Sequence, residues 1–140
     1  MQRSCFDNYI NRFNAKDETA FEDFLCEDVA VRNGNLEYQG VAGMKAHYAL
    51  IWQSMDETLN VKDFVSDGDR VAVVLHTHFH VREDTETSPF GPVRKNETFD
   101  YEGVIFYQLK DGRFSSILVS YLDFVKTELD GNKVSLGIAH

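Results

Sequence analysis

The groups able to do chemistry in this 140-residue chain fall at a few telling spacings. Asp100 and Glu102 stand two residues apart in a stretch that reads as a strand. Alternate strand positions share a side, so their Cα atoms lie about 7 Å apart, and a carboxylate beside an apolar wall gains the raised pKa of a general acid or base. The competing reading seats both at the wet end of a sheet, paired with Lys or Arg. His76, His78 and His80 alternate with Thr77 and Phe79 and project from one side of another strand. Neighbouring imidazoles can chelate a metal, but Val71, Val73, Leu75 and Phe79 make the opposite side the one that meets the helices. The histidines therefore belong on an outer face near a dimer contact, where imidazole titration confers pH-sensitive association, and no metal is expected. Tyr9, Trp52 and Tyr121 are walls or hydrogen-bond donors for an apolar ligand, or equally core aromatics with satisfied polar atoms. His47, beside Met44 and Tyr48, reads as a boundary residue.

The elements that must hold these groups follow from periodicity. Phe6, Tyr9, Ile10 and Phe13 recur at helical spacing and predict a helix over 3–14. Asp17 is a good N-cap for a second helix carrying Phe21, Phe24 and Leu25. Val29 and Val31 lead into a short strand, and Asn33-Gly34-Asn35 supplies a hairpin turn before Leu36-Glu37-Tyr38. Val41, Met44, Tyr48, Ile51, Trp52 and Met55 predict a third helix over 41–55. Four strands follow, over 58–66, 70–82, 97–109 and 113–125, as an antiparallel meander with turns at Asp67-Gly68-Asp69 and Asp111-Gly112. The charged connector 83–95, with Pro89 and Pro92, is expected to be a mobile flap without apolar periodicity, and the tail after Thr127 carries little pattern. In the third long strand Thr98, Asp100, Glu102, Val104 and Phe106 share one side and Phe99, Tyr101, Ile105, Tyr107 and Leu109 the other. Both sides are apolar at their centre, so the helices cover one and a second subunit is the economical cover for the other.

Composition sets the class. The length suits one domain, 1–140, with a single core, and 43% hydrophobic against 26% charged residues is ordinary globular usage. The eleven Phe exceed what a minimal core requires and suit a pocket wall or an interface. A net charge of -9 argues against nucleic acid as a partner. No basic region with an apolar run and no span of 18 apolar residues occurs, so the expectation is a cytoplasmic protein with no membrane partner. Cys5 and Cys26 lack any ligand spacing and are expected as reduced thiols on the inner faces of helices.

Three helices, a short hairpin between the second and third, and a four-stranded meander resemble the cone-shaped α+β fold of the nuclear transport factor two-like superfamily. The resemblance spans 6–125 and includes Asp69-Arg70-Val71-Ala72-Val73, Glu102-Gly103-Val104-Ile105-Phe106-Tyr107 and Asp111-Gly112-Arg113-Phe114. It implies an α+β cone in which three N-terminal helices pack on a strongly curved antiparallel sheet and enclose a cavity. The first helix, Asn8-Tyr9-Ile10-Asn11-Arg12-Phe13-Asn14-Ala15-Lys16-Asp17, is similar to that of ketosteroid isomerases, whose oxyanion-holding tyrosine falls on Tyr9. Their proton-shuttling Asp falls on Asn33 and their protonated Asp on Val104. An amide cannot shuttle a proton near neutral pH and a valine cannot donate to an enolate, which argues against a steroid isomerase.

SnoaL-like polyketide cyclases, limonene epoxide hydrolases and scytalone dehydratases resemble the chain at the same level. The ending Ser120-Tyr121-Leu122-Asp123 is similar to the aromatic-and-acid ending of SnoaL-like members, with Asp123 and Ser120 competing for the acid's place. The resemblance turns the side bearing Asp100, Glu102, Val104 and Phe106 toward the cavity. The resulting expectation is a homodimer, joined through the outer sheet face, whose cavity holds a small apolar or polyketide-like molecule among Tyr9, Asn33, Trp52, Val104 and Tyr121. Any catalysis would be cofactor-free isomerase, cyclase or dehydratase chemistry by Asp100, Glu102 or Asp123. The alternative is a binding or dimerisation module with no chemistry.

Overall fold

A computed structural model describes residues 1–137. The chain folds in the order α1 (Arg3–Asn14), α2 (Thr19–Phe24), β1 (Leu25–Asn33), β2 (Leu36–Gln39), α3 (Gly40–Trp52), β3 (Met55–Ser66), β4 (Arg70–Val81), β5 (Thr85–Ser88), β6 (Gly91–Val93), β7 (Thr98–Lys110), β8 (Arg113–Thr127) and β9 (Lys133–Ser135). Helix α1 buries Phe6, Tyr9, Ile10 and Phe13 on one face, as their spacing dictates. The Asp17 carboxylate accepts the backbone N–H of Thr19 at 3.0 Å and so opens α2. Helix α3 stops at Trp52, three residues before the end that its spacing predicts. Met55 keeps the apolar period but is the first residue of β3, paired with Val81, and the carbonyl of Ser54 accepts the N–H of Arg82 at 2.8 Å. The early stop makes Asp56 and Glu57 strand residues.

The main sheet runs β2-β1-β8-β7-β4-β3, with β9 paired to the end of β8. The meander β3-β4-β7-β8 is antiparallel throughout, but β1 lies parallel to β8, so the sheet is mixed where an antiparallel one is expected. Strand β1 is delivered by α2 rather than by a hairpin from β8, and nothing forces it to run against its neighbour. The 83–95 connector is not patternless: β5 and β6 form their own hairpin, with Val93 buried and the Phe90 ring 5.0 Å from Phe79 and from Phe99. No helix among the described residues is long and apolar enough to cross a membrane.

Register fixes which side chains meet the helices. Val71, Val73, Leu75, Thr77 and Phe79 of β4 stand opposite Tyr107, Ile105, Gly103, Tyr101 and Phe99 of β7. These odd-numbered residues lie on the helix-covered side, where Val71, Val73, Leu75, Ile105 and Tyr107 join Phe6, Tyr9, Phe13 and Phe114 in the main core and Phe79 and Phe99 belong to a second cluster. Asp100, Glu102 and Val104 consequently lie on the outer face, contrary to the orientation drawn from the resemblance. Both sides of β7 are apolar at the centre, so its own pattern does not choose; its pairing with β4 does. Val104 and Leu118 are 37% and 45% exposed on that outer face. The cysteines also depart from expectation: Cys5 is exposed on α1, and Cys26 is a half-buried residue of β1 rather than of a helix.

Gly103 sits where β7 and β8 slip register, and a Cβ there would come within 2.9 Å of the Tyr101 ring and 3.0 Å of the Ser120 carbonyl oxygen. Gly103→Ala is expected to lower stability by about 1–3 kcal/mol, the usual cost of overpacking, in urea unfolding. An unchanged midpoint would mean that this crossing has slack.

Candidate functional site

Beneath the sheet lies a cavity of about 350 Å³, bounded by α1, α3, the inner sides of the strands and the hairpin-tip residues Pro89 and Phe90. Its lining is mostly apolar, with nine aromatic residues: Tyr9, Phe13, Tyr38, Tyr48, Phe79, Phe90, Tyr101, Tyr107 and Phe124. Glu57, Thr77, Asn33 and His47 interrupt this wall with polar groups. An apolar enclosure with few convergent polar groups is the common form of a small-molecule site.

Glu57 is the exceptional member. Met55, Glu57, Leu59 and Val61 alternate along β3, so Glu57 points inward with the core residues and is only 6% exposed. The Trp52 indole N–H donates to its Oε2 at 3.0 Å, a bond made possible because α3 ends at Trp52 and β3 returns beneath it. Burial pushes the Glu57 carboxyl up to about 8, against the opposing effects of the Trp52 bond and of Lys16. At neutral pH the group is mostly protonated yet close to its titration point, so it can give or take a proton. Burial likewise pushes the phenols of Tyr9 and Tyr48 well above their ordinary value, and their environment includes Glu57. They remain neutral hydrogen-bond donors.

Two further polar groups complete the lining. The Tyr101 hydroxyl, pushed up to about 12 chiefly by burial, donates to Asn33 Oδ1 at 3.3 Å. That bond turns the amide NH₂ of Asn33 into the free end of the side chain. His47 stacks on Tyr38 with ring centroids 4.8 Å apart, and burial lowers its pKa, which leaves the imidazole neutral at pH 7.

Of the residues that sequence reasoning singles out, Tyr9 and Asn33 line the cavity. Trp52 stands behind the wall, packed on Phe13 and Phe21, and reaches the site through Glu57. Tyr121 lies beside Tyr101, with ring centroids 6.3 Å apart, outside the lining. Asp100 is on the outer face, where its Oδ1 accepts hydrogen bonds from His76 Nε2 at 2.9 Å and His78 Nδ1 at 2.8 Å. Partial burial acts to raise the Asp100 pKa, but the two imidazole bonds outweigh it and hold the carboxyl below the usual range. Glu102 and Asp123 face each other across β7 and β8 on the same outer side, and Ser120 stands opposite Val104 there. The register shift between Glu102 and Gly103 inserts an extra residue at Leu122, which carries Asp123 away from the cavity.

Glu57 is hidden in the sequence because the helical spacing runs through Met55 and the predicted strand starts at 58. The alternation from Met55 through Glu57 and Leu59 to Val61 was the available signal. Among the described residues no group of three or more His, Cys, Asp or Glu is arranged to hold a metal.

The raised Glu57 carboxyl has a thermodynamic signature. From the ordinary 4.5 to about 8 the folded protein keeps a proton that the unfolded chain has lost, so stability falls as pH rises through this window. The slope is at most about 1.4 kcal/mol per pH unit and vanishes outside the window. Glu57→Gln removes this component, so wild-type stability minus variant stability should decline with pH and then level above about 8. A difference that is flat with pH in chemical denaturation would show that Glu57 ionises normally.

Solved structures share this architecture. The chain is similar to a proposed polyketide cyclase from Pseudomonas putida KT2440, with 22% identity over 90% of each chain and a TM-score of 0.67. It is similar to another from Xanthomonas campestris pv. campestris, with 26% identity over 79% of this chain and 82% of that one and a TM-score of 0.65. An LEH-like epoxide hydrolase of M. tuberculosis is 10% identical over 83% of this chain and 78% of its own, with a TM-score of 0.65. No curated protein sequence matches. The model of the SnoaL-like domain matches residues 6–117, which spans both the helices and the strands that build the cavity, and the chain belongs to the SnoaL-like domain family.

Proposed function

We propose that this protein binds a small, largely apolar molecule in its cone and transfers a proton on it without a cofactor, with Glu57 as the acid and base. The observation that carries the reading is the Glu57 carboxyl, almost fully buried inside an aromatic cavity, and burial pushes its pKa up to about 8. Groups so perturbed cluster at functional sites. The proposed polyketide cyclases and the epoxide hydrolase among its structural neighbours act on small organic molecules by name, which supports the same class here.

The step suited to this geometry is proton abstraction beside a carbonyl. The Glu57 carboxylate takes the proton from carbon, the C–H electron pair moves into the new C=C bond, and the carbonyl oxygen becomes an enolate oxygen. The neutral phenol of Tyr9 is suited to donate a hydrogen bond to that oxygen. Return of the proton from Glu57 to another carbon completes an isomerisation; its delivery to a departing hydroxyl completes a dehydration. Trp52 holds the carboxyl in place through the indole bond to Oε2, which is a positioning role. The outer carboxylates Asp100, Glu102 and Asp123 have no part in this reading.

Deuterium exchange from D₂O into the α-carbon of 2-tetralone, a fused-ring apolar ketone, tests it. The wild type should accelerate exchange, and Glu57→Gln should reduce that acceleration by about 100-fold or more, the usual worth of a general base. Asp100→Asn should leave the rate unchanged. Exchange that survives Glu57→Gln would remove Glu57 from the chemistry.

A further inference from the structure

Among the described residues Glu57 is the one carboxyl in the cavity wall, and no counter-charge lines the wall beside it. Among the described residues no lysine or arginine lines the cavity. Lys16, whose field reaches Glu57, is outside the lining, and its ammonium sits on Asp56 Oδ1 at 2.7 Å. Trp52 occupies Oε2, and among the described residues no hydrogen bond reaches Oε1, which leaves that oxygen for a second donor. A carboxylate withdrawn from water costs several kcal/mol unless it is neutralised or paired. A proton on the carboxyl is one way to neutralise it. A ligand can do so instead by bringing its own positive charge.

The rest of the cavity favours that solution. Nine Phe and Tyr rings line it, and the π systems of such rings attract cations while contributing apolar surface. The chain as a whole carries a net charge of -9, which concentrates cations around the molecule and repels anions. An anionic ligand would meet an acid, a ring-lined wall and, as the one basic side chain among the described lining residues, a His47 imidazole that burial holds neutral.

We propose that the molecule taken by this cavity is an apolar, ring-sized compound bearing an amine, with the ammonium seated at Glu57 and the ring body among the aromatic side chains. The inference rests on Glu57 being the functional acid of the cavity. It adds a proton balance to that reading. When a neutral amine arrives, the O–H bond of the Glu57 carboxyl breaks, an N–H bond forms on the amine, and an ammonium–carboxylate pair results with no net charge entering the protein. The cation then holds Glu57 as the carboxylate, so the ligand itself makes the base.

Trp52 is the only tryptophan in the chain and touches Glu57, so its fluorescence reports the site. The experiment titrates the wild type at pH 7 with 2-phenylethylammonium, 2-phenylethanol and phenylacetate, which share a body and differ in charge. The ammonium should bind at least about tenfold more tightly than the alcohol, with phenylacetate weakest. In Glu57→Gln the ratio of ammonium to alcohol affinity should fall to about one or below, while Asp100→Asn, altered on the outer face, keeps the wild-type ratio. Equal affinity of the wild type for ammonium and alcohol would overturn the amine inference while leaving the cavity as a binding site. Failure of all three to bind, by fluorescence and by calorimetry, would overturn the cavity reading as well.

Discussion

The ladder that β4 makes with β3 on one side and β7 on the other sorts the whole molecule into an inside and an outside. Because side chains alternate with a period of two, one register sends Val73, Thr77 and Phe79 of β4, Ile105 and Tyr107 of β7, and Glu57 of β3 to the same side. The same register sends His76, His78, Asp100 and Glu102 to the other. A slip of one residue on β3 would turn Glu57 outward and Asp56 inward, and a slip on β7 would bring Asp100 and Glu102 to the inner side. The helices, the cavity and the placing of Glu57 in its wall all depend on this pairing.

Placing an acid on the inner side has a cost that the surrounding residues moderate. The indole of Trp52 supplies one hydrogen bond, and protonation removes the charge for which the apolar wall offers no partner. Helix α3 contributes by ending where it does: three more residues of helix would carry Met55, and with it Glu57, away from β4. In the proposed reading the acid is on β3, whereas the ketosteroid isomerase resemblance points to the positions of Asn33 and Val104. Asn33, at one of those positions, retains a place in the wall with Tyr101 as its hydrogen-bond partner.

Much of the architecture was legible because it rests on strong periodicity. The buried face of α1, the Asp17 cap, the hairpin turn after Asn33 and the inner face of β4 all follow from residue spacing. The outward side of the histidines is legible because Val71, Val73, Leu75 and Phe79 mark the opposite side of β4 as buried. The side of β7 was not legible from its own residues, since Val104 and Phe106 are as apolar as Ile105 and Tyr107. Reading β7 against β4 would have resolved it. The displacement of Asp123 depends on an inserted residue at Leu122, which leaves no compositional mark. Glu57 was hidden by coincidence: Met55 satisfies the helical spacing of α3 and the inward position of β3 at once. The β5–β6 hairpin leaves little mark in the sequence because the apolar residues it packs with, Phe90 and Val93, stand within a run of charged and turn-forming residues.

The claim on which the functional account stands is the protonation state of one side chain. NMR titration of the side-chain carboxyl carbon of ¹³C-labelled Glu57, assigned by comparison with Glu57→Gln, measures it without any ligand. The account predicts a protonated carboxyl at pH 7 and a midpoint of about 8. A Glu57 resonance already ionised at pH 5 would contradict it.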